Sequence, residues 1–261
     1  MIIPIPANHK RFTIRLGITV RKPVVLGIRA YDPSKPNSHY FRRKVAFKRE
    51  AFSGKEAFRE IDIPMPLSPK ALEVELYNKR TGDDTSFRLT GFDVHKMIPA
   101  QVWAQPEVHR FIDFAQKFSQ KAGYTPVGFH HNKDSEFLIQ YLPEILDDAG
   151  RRLVTPARTH RATGRIQVSQ KLFRQFTVPI RFFILLHERQ HFVIPTREEK
   201  PADLAALQIY LDMGFPRIEA VYAATKVFGL HPETVGKAHV TRTRDIIDFI
   251  NQNARKIEAH G

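Results

Sequence analysis

Residues 181 to 203, RFFILLHERQHFVIPTREEKPAD, restrict what this chain can become more than any other stretch. Phe182, Phe183, Ile184, Leu185 and Leu186 run directly into His187, Glu188 and His191. An apolar run of this kind reads as a helix buried in a core, which would hold polar groups on it rigidly. Residues four apart share a helix face, so His187 and His191 can aim two imidazoles at one ion while Glu188, one position round, reaches a water beside it. Hydrolytic metal sites take three protein ligands, and the third must come from elsewhere. Downstream, Glu199 supplies a carboxylate and Glu198 is the fallback. Asp203, about one turn later, can accept the free N–H of a ligating histidine. Thr196-Arg197-Glu198-Glu199 also matches a capping box, in which Glu199 would bond back to Thr196. Pro201 opposes that reading, because a helix capped at Thr196 would carry its ring beyond the first turn. A helix start one or two residues later removes the conflict.

HERQH followed by EKPAD resembles the HExxH plus ExxxD pattern of gluzincin-type zinc metallopeptidases. The resemblance covers the chain from about Thr155 onwards, where TPARTHRATGRIQVSQKLFRQFTVPIRFFILLHERQH is similar to that family's minimal peptidase domain of edge strand, short helix and motif helix. It implies a zincin-like domain with Zn2+ held by His187, His191 and Glu199, Glu188 as general base, and Asp203 as the carboxylate behind the ligands. Gly164 to Ser169 would then be the edge strand, holding an extended peptide by main-chain hydrogen bonds. Arg189 departs from the pattern, whose two inner positions are usually uncharged. The transition-state oxyanion donor is left open among Tyr210, Tyr222, His231 and His239. A second stretch, ADLAALQIYLDMGFPRIEAVYAATKVF, is similar to peptidase-like proteins of tailed bacteriophages, some of them virion components. It implies an alternative, a structural protein that keeps a metallopeptidase-like fold for assembly.

The chain has no cysteine, so the metal argument rests on histidine and carboxylate alone. The N-terminus places charge after a very short apolar run, and no apolar stretch approaches a bilayer span. The expectation is a soluble, non-secreted protein, cytoplasmic or, if phage-encoded, in a virion, with a peptide or protein substrate and no membrane partner. Net charge is +14, and residues 1 to 98 carry 19 Lys and Arg against 10 Asp and Glu. Such a basic front favours polyanions, nucleic acid among them, although no nucleic-acid motif is present and short clusters such as Arg42-Arg43-Lys44 also suit a solvated face.

The expected fold class is α+β. Residues 1 to 98 read as short strands, RFTIRLG, PVVLGIRAY, HYFRRKVAF, AFREIDIPM, ALEVELYN and SFRLTGFDV, separated by breakers that include DPSKPNS and TGDD. Their spacing suggests an antiparallel sandwich or barrel, a basic docking domain through which assembly partners could bind. Asp83-Asp84 reads as a solvated hairpin loop. Residues 99 to 123 form a linker and an amphipathic helix opened by Pro106, with Val108, Phe111, Phe114, Ala115 and Phe118 at helical spacing. Residues 124 to 261 form the mainly helical metallopeptidase-like domain. His130 and His131 sit in a loop-like stretch and read as surface histidines.

Overall fold

A computed structural model describes residues 1–52, 54–98, 102–194, 198–216, 221, 241 and 244–252. The protein is mixed α+β, with antiparallel sheets towards the N-terminus and helices later. It divides into two compact units, Met1–Ala100 and Gln101–Gly261.

The first unit contains seven described strands, β1 (Ile2–Ile5), β2 (Phe12–Val20), β3 (Val24–Asp32), β4 (Lys35–Phe47), β5 (Ala57–Met65), β6 (Leu72–Asn78) and β7 (Phe87–Lys96). They form a four-stranded sheet in the order β1-β6-β3-β4 and a three-stranded sheet in the order β5-β2-β7, antiparallel throughout. Period-two alternation is clearest at the start of β2, where Phe12, Ile14 and Leu16 are buried and Arg15 is exposed. Arg15 sits opposite Asp62 of β5 and grips its carboxylate with Nε and Nη2 at 2.9 and 3.1 Å. From Gly17 onwards β2 is buried on both faces, because the Phe58 ring lies across Gly17 on the outer side. The breaker DPSKPNS shrinks to a tight Pro33–Ser34 turn. Asp32 Oδ1 accepts from Ser34 N and Oγ at 2.9 and 2.6 Å, and β4 begins at Lys35, so much of the turn-rich string is strand. Asp83 similarly serves a turn, its Oδ1 accepting from Thr85 N, Thr85 Oγ1 and Ser86 Oγ, while Asp84 pairs with the N-terminal amine.

The second unit contains α1 (Pro106–Lys121), β8 (Gly128–His131), β9 (Leu138–Leu142), β10 (Ala157–His160), β11 (Arg165–Ser169), the short α2 (Gln170–Phe173), α3 (Val178–Val193) and α4 (Glu199–Asp212), with residues 244–252 helical as well. No described helix is long and apolar enough to cross a membrane. The sheet order is β10-β11-β9-β8, with β9 and β11 parallel and the outer pairs antiparallel. One sheet face is buried through Ile139, Tyr141, Ala157, Ile166 and Val168. The other carries a polar cross-strand ladder, Arg158 Nε to Gln167 Oε1 at 2.6 Å and Gln167 Nε2 to Gln140 Oε1 at 2.9 Å.

The strand expected at the sheet edge, Gly164 to Ser169, is an inner strand. Arg165–Ser169 lies between β10 and β9, and the two edges belong to β10 and β8. Gly164 instead closes the β10–β11 hairpin at φ +69, its N–H donating to His160 O at 2.9 Å, and the Phe192 ring of α3 packs onto its backbone. β10 has only four residues, three of them polar, too few to show an alternation in the sequence.

Helix α3 is buried continuously from Val178 to Leu186, as expected of a helix that is apolar all round. Within that run Arg181 is also buried, its guanidinium donating to Phe173 O, Ser119 O and Arg174 O at 3.1, 3.3 and 3.0 Å. Helix α1 buries Phe111, Ile112, Phe114, Ala115 and Phe118, packs against α3, and ends at Lys121.

Candidate metal centre

Buried packing fixes α3, and four-residue spacing then places His187 and His191 on one face of its last turns. Helix α4 brings the carboxylates. It starts at Glu199, so Pro201 falls in the first turn where its missing N–H is not needed, and Thr196 lies outside the described residues. Glu198 is the non-helical residue preceding that first turn and is not one of the converging groups.

Three side-chain atoms converge. His187 Nε2 and His191 Nε2 are 3.0 Å apart, and Glu199 Oε2 lies 3.4 Å from the first and 3.5 Å from the second. A tetrahedral ion bonded at about 2.0–2.1 Å to each would hold them about 3.3 Å apart. The donor chemistry fits as well. Two imidazole lone pairs and a carboxylate oxygen facing one point repel one another unless a cation or a proton lies between them. These three residues can hold a metal ion, and among the described residues they are the only such group.

No protein-family model, curated protein or solved structure matches this chain. The site has to be read from its own geometry.

Asp203 is buried on α4, and its Oδ1 lies 2.9 Å from His187 Nδ1. A carboxylate oxygen at that place favours a proton on Nδ1 and leaves Nε2 facing the other two ligand atoms. His191 Nδ1 is buried with no hydrogen-bond partner among the described residues.

Glu188 is buried beside the cluster and is held by a residue that the sequence did not single out. Thr159 Oγ1, on β10, lies 2.6 Å from Glu188 O and 2.8 Å from Glu188 Oε2. A hydroxyl has one proton to give, so these two acceptors share it. No local pattern announces Thr159, because its role depends on β10 lying against α3.

Arg189 points away from the ligands. It pairs with Glu107 of α1, and its guanidinium stacks 5.5, 5.1 and 4.8 Å from the ring centres of Phe111, Phe137 and Phe192. Burial pushes its pKa down, opposed by the charges of Glu107 and Glu136. The unusual charge inside the motif thus ties α3 to α1. His130 lies on β8 against Phe118 and Tyr141, with Nε2 3.1 Å from Pro126 O, and burial lowers its pKa. His131 is exposed on the same strand. Tyr210 is fully buried, stacked 4.1 Å from the Phe215 ring and packed on Phe182 and Phe183. Tyr222, His231 and His239 lie outside the described residues.

In the metal-free protein a proton does what a cation would do. Burial opposes charge on His187, but Asp203 and Glu199, with the charge of Glu188, outweigh it and raise its pKa from 6.5 to about 9. The folded state therefore binds this proton more tightly than the unfolded chain does. The resulting stabilisation is complete below about pH 6.5 and is lost as pH rises through about 9, a span worth about 3 kcal/mol. Urea melts of chelator-treated protein are expected to show this decline between pH 6.5 and 9, and a loaded ion, having displaced the proton, to remove it. A metal-free protein equally stable at both ends would show that the cluster does not hold the proton.

Proposed function

We propose that the protein is a zinc-dependent peptidase with a zincin-like catalytic unit, and that the N-terminal unit is an antiparallel sandwich serving as its docking module. The observation that carries this reading is the convergence of His187 Nε2, His191 Nε2 and Glu199 Oε2 within 3.0 to 3.5 Å, beside a buried Glu188 that is not one of them. Two imidazoles and one carboxylate, with no thiolate in the chain, suit zinc in a catalytic rather than a structural site. When bound, zinc would supply Lewis acidity, lowering the pKa of water and polarising a substrate carbonyl.

The chain's own groups account for the remaining steps. Thr159 restrains Glu188 Oε2, leaving the other carboxylate oxygen to take a proton from the attacking water and return it to the departing amine. Substrate would lie along β10, one of the two edge strands of the sheet and the one packed against α3. Ser169 N–H donates to Pro156 O at 2.9 Å, so by the alternation of an antiparallel ladder Ala157 and Thr159 turn their backbone groups outwards. Thr155 Oγ1 already occupies Ala157 O at 2.7 Å, leaving Ala157 N–H and both groups of Thr159 for an extended peptide. Thr159 would then face the substrate with its backbone and Glu188 with its hydroxyl.

Elemental analysis of protein purified without added metal, together with hydrolysis of a quenched fluorescent peptide mixture, tests the reading. About one zinc per chain is expected. Glu199→Ala should lower retained zinc at least tenfold, because two imidazoles alone do not complete the site. Hydrolysis should stop on chelation and return with zinc. Failure of the reconstituted wild type to retain zinc would end the proposal, and retention without hydrolysis of any peptide would leave a structural ion.

A further inference from the structure

Five of the N-terminal unit's exposed cations follow one another closely along the edge of one sheet. β4 is the outermost strand of β1-β6-β3-β4, and along it and just beyond it Arg42, Arg43, Lys44, Lys48 and Arg49 are all exposed. Among the described residues no carboxylate comes within ion-pair distance of any of these five; Lys22, Lys55 and Lys70 of the same unit are likewise without an ion pair, but they stand apart and not in a row along one strand edge.

The register sets what lies beside these cations. Arg42 is opposite Arg29 and Lys44 opposite Gly27 on β3, and those two are opposite Glu75 and Tyr77 on β6. Side chains of paired residues share a sheet face, so Arg42, Lys44, Arg29 and Tyr77 lie on the side away from buried Phe41, Val45 and Phe47. Gly27 leaves room that the Tyr77 ring fills. A Cβ at Gly27 would meet ring atoms at 2.3 to 2.7 Å, so the ring lies flat on the backbone and is half-exposed at the sheet surface. The Arg29 guanidinium is 5.6 Å from the ring centres of both Tyr31 and Tyr77. Arg42 and Lys44 are two residues apart on an extended strand, a separation of about 7 Å, comparable to the phosphate repeat of an extended single strand.

We infer that the β4 edge and the adjoining outer face of its sheet form a binding surface for single-stranded nucleic acid, in which Arg42, Lys44, Lys48 and Arg49 follow the phosphates and Tyr77 supplies a stacking face for a base. This goes beyond the peptidase reading and does not rest on it. A row of cations beside a flat aromatic platform is the chemistry by which single strands are held without sequence preference. Membrane insertion instead requires apolar side chains that protrude, and the ring here is recessed onto a glycine.

The test is fluorescence anisotropy of the full chain with a labelled oligothymidylate of about 20 nucleotides. Four phosphate contacts on a single strand correspond to an affinity that falls about 50-fold between roughly 50 and 200 mM salt. The exposed double reversal R42E/K44E is expected to weaken binding at least tenfold at low salt and to flatten the salt dependence. K55E/K70E, the same change of net charge elsewhere in the unit, should leave affinity within about twofold; this separates a built surface from the general attraction of a basic protein. Equal weakening by the two double variants, absence of binding at low salt, tighter binding of the matching duplex, or binding of phosphatidylserine vesicles without the oligonucleotide would each overturn the inference.

Discussion

Glu188→Gln is expected to keep about one zinc per chain while lowering peptide hydrolysis by about 10²- to 10⁴-fold, the usual contribution of a general base. The reason is a division of labour visible in the geometry. The three converging atoms belong to His187, His191 and Glu199, and the Glu188 carboxylate is turned to Thr159. Glutamine is isosteric, and its amide oxygen can still accept the Thr159 hydroxyl, so the side chain should stay in place. What it loses is the capacity to take a proton from water. Metal analysis and turnover on the same preparation separate the outcomes. Unchanged turnover would show that another group is the base, whereas loss of zinc would show that the Glu188 charge holds the ion. Glu199→Ala should fail at the earlier stage, losing metal and activity together.

That contrast was largely legible in the sequence, because it depends on local spacing. His187 and His191 had to share a face once α3 was a helix, and the apolar run before them made α3 a buried helix. Asp203 follows in the same way from its distance along α4. Thr159, Arg189 and β10 were not legible, for a common reason: each depends on which segments meet. β10 reads as ARTH, without a strand period, and becomes an edge strand only by pairing with β11. Arg189 resembled a defect in the motif until Glu107, Phe111, Phe137 and Phe192 were found around it, with Glu107 82 residues earlier in the chain. In the N-terminal unit the alternation of β2 was plain, but Pro33 and Pro36 disguised the start of β4. Proline reads as a breaker, yet β4 is an edge strand, where a missing N–H can be tolerated. Residues 217–220 and 222–240, which hold most of the RIEAVYAATKVF part of the second resembling stretch, lie outside the described residues.

The scaffold that holds the motif makes the second large prediction, which concerns Arg181. Arg181→Ala is expected to destabilise the C-terminal unit by about 3–5 kcal/mol, through a cavity together with the stranded Ser119 and Arg174 carbonyls. A cation buried in an apolar helix is costly unless its donors are used, and here three backbone oxygens use them. Phe173 O and Arg174 O close the short α2 just before α3, and Ser119 O belongs to the last turn of α1. The final carbonyls of a helix lack partners within it, so a single guanidinium satisfies two helix ends and joins both to α3. Its planar fork matters, since an ammonium could not span donors to three oxygens in fixed directions. Arg181→Met should therefore recover part of the volume but none of the hydrogen bonds, and lie between wild type and alanine. Because Arg181 is less than two turns from His187, loosening α3 at its base should also widen the spacing of the two imidazoles. Hydrogen–deuterium exchange across residues 178–193 tests both effects. Faster exchange and weaker zinc retention in the order wild type, Met, Ala are expected. Unchanged protection of α3 in Arg181→Ala would mean that apolar packing alone fixes the helix and that the carbonyls find water instead.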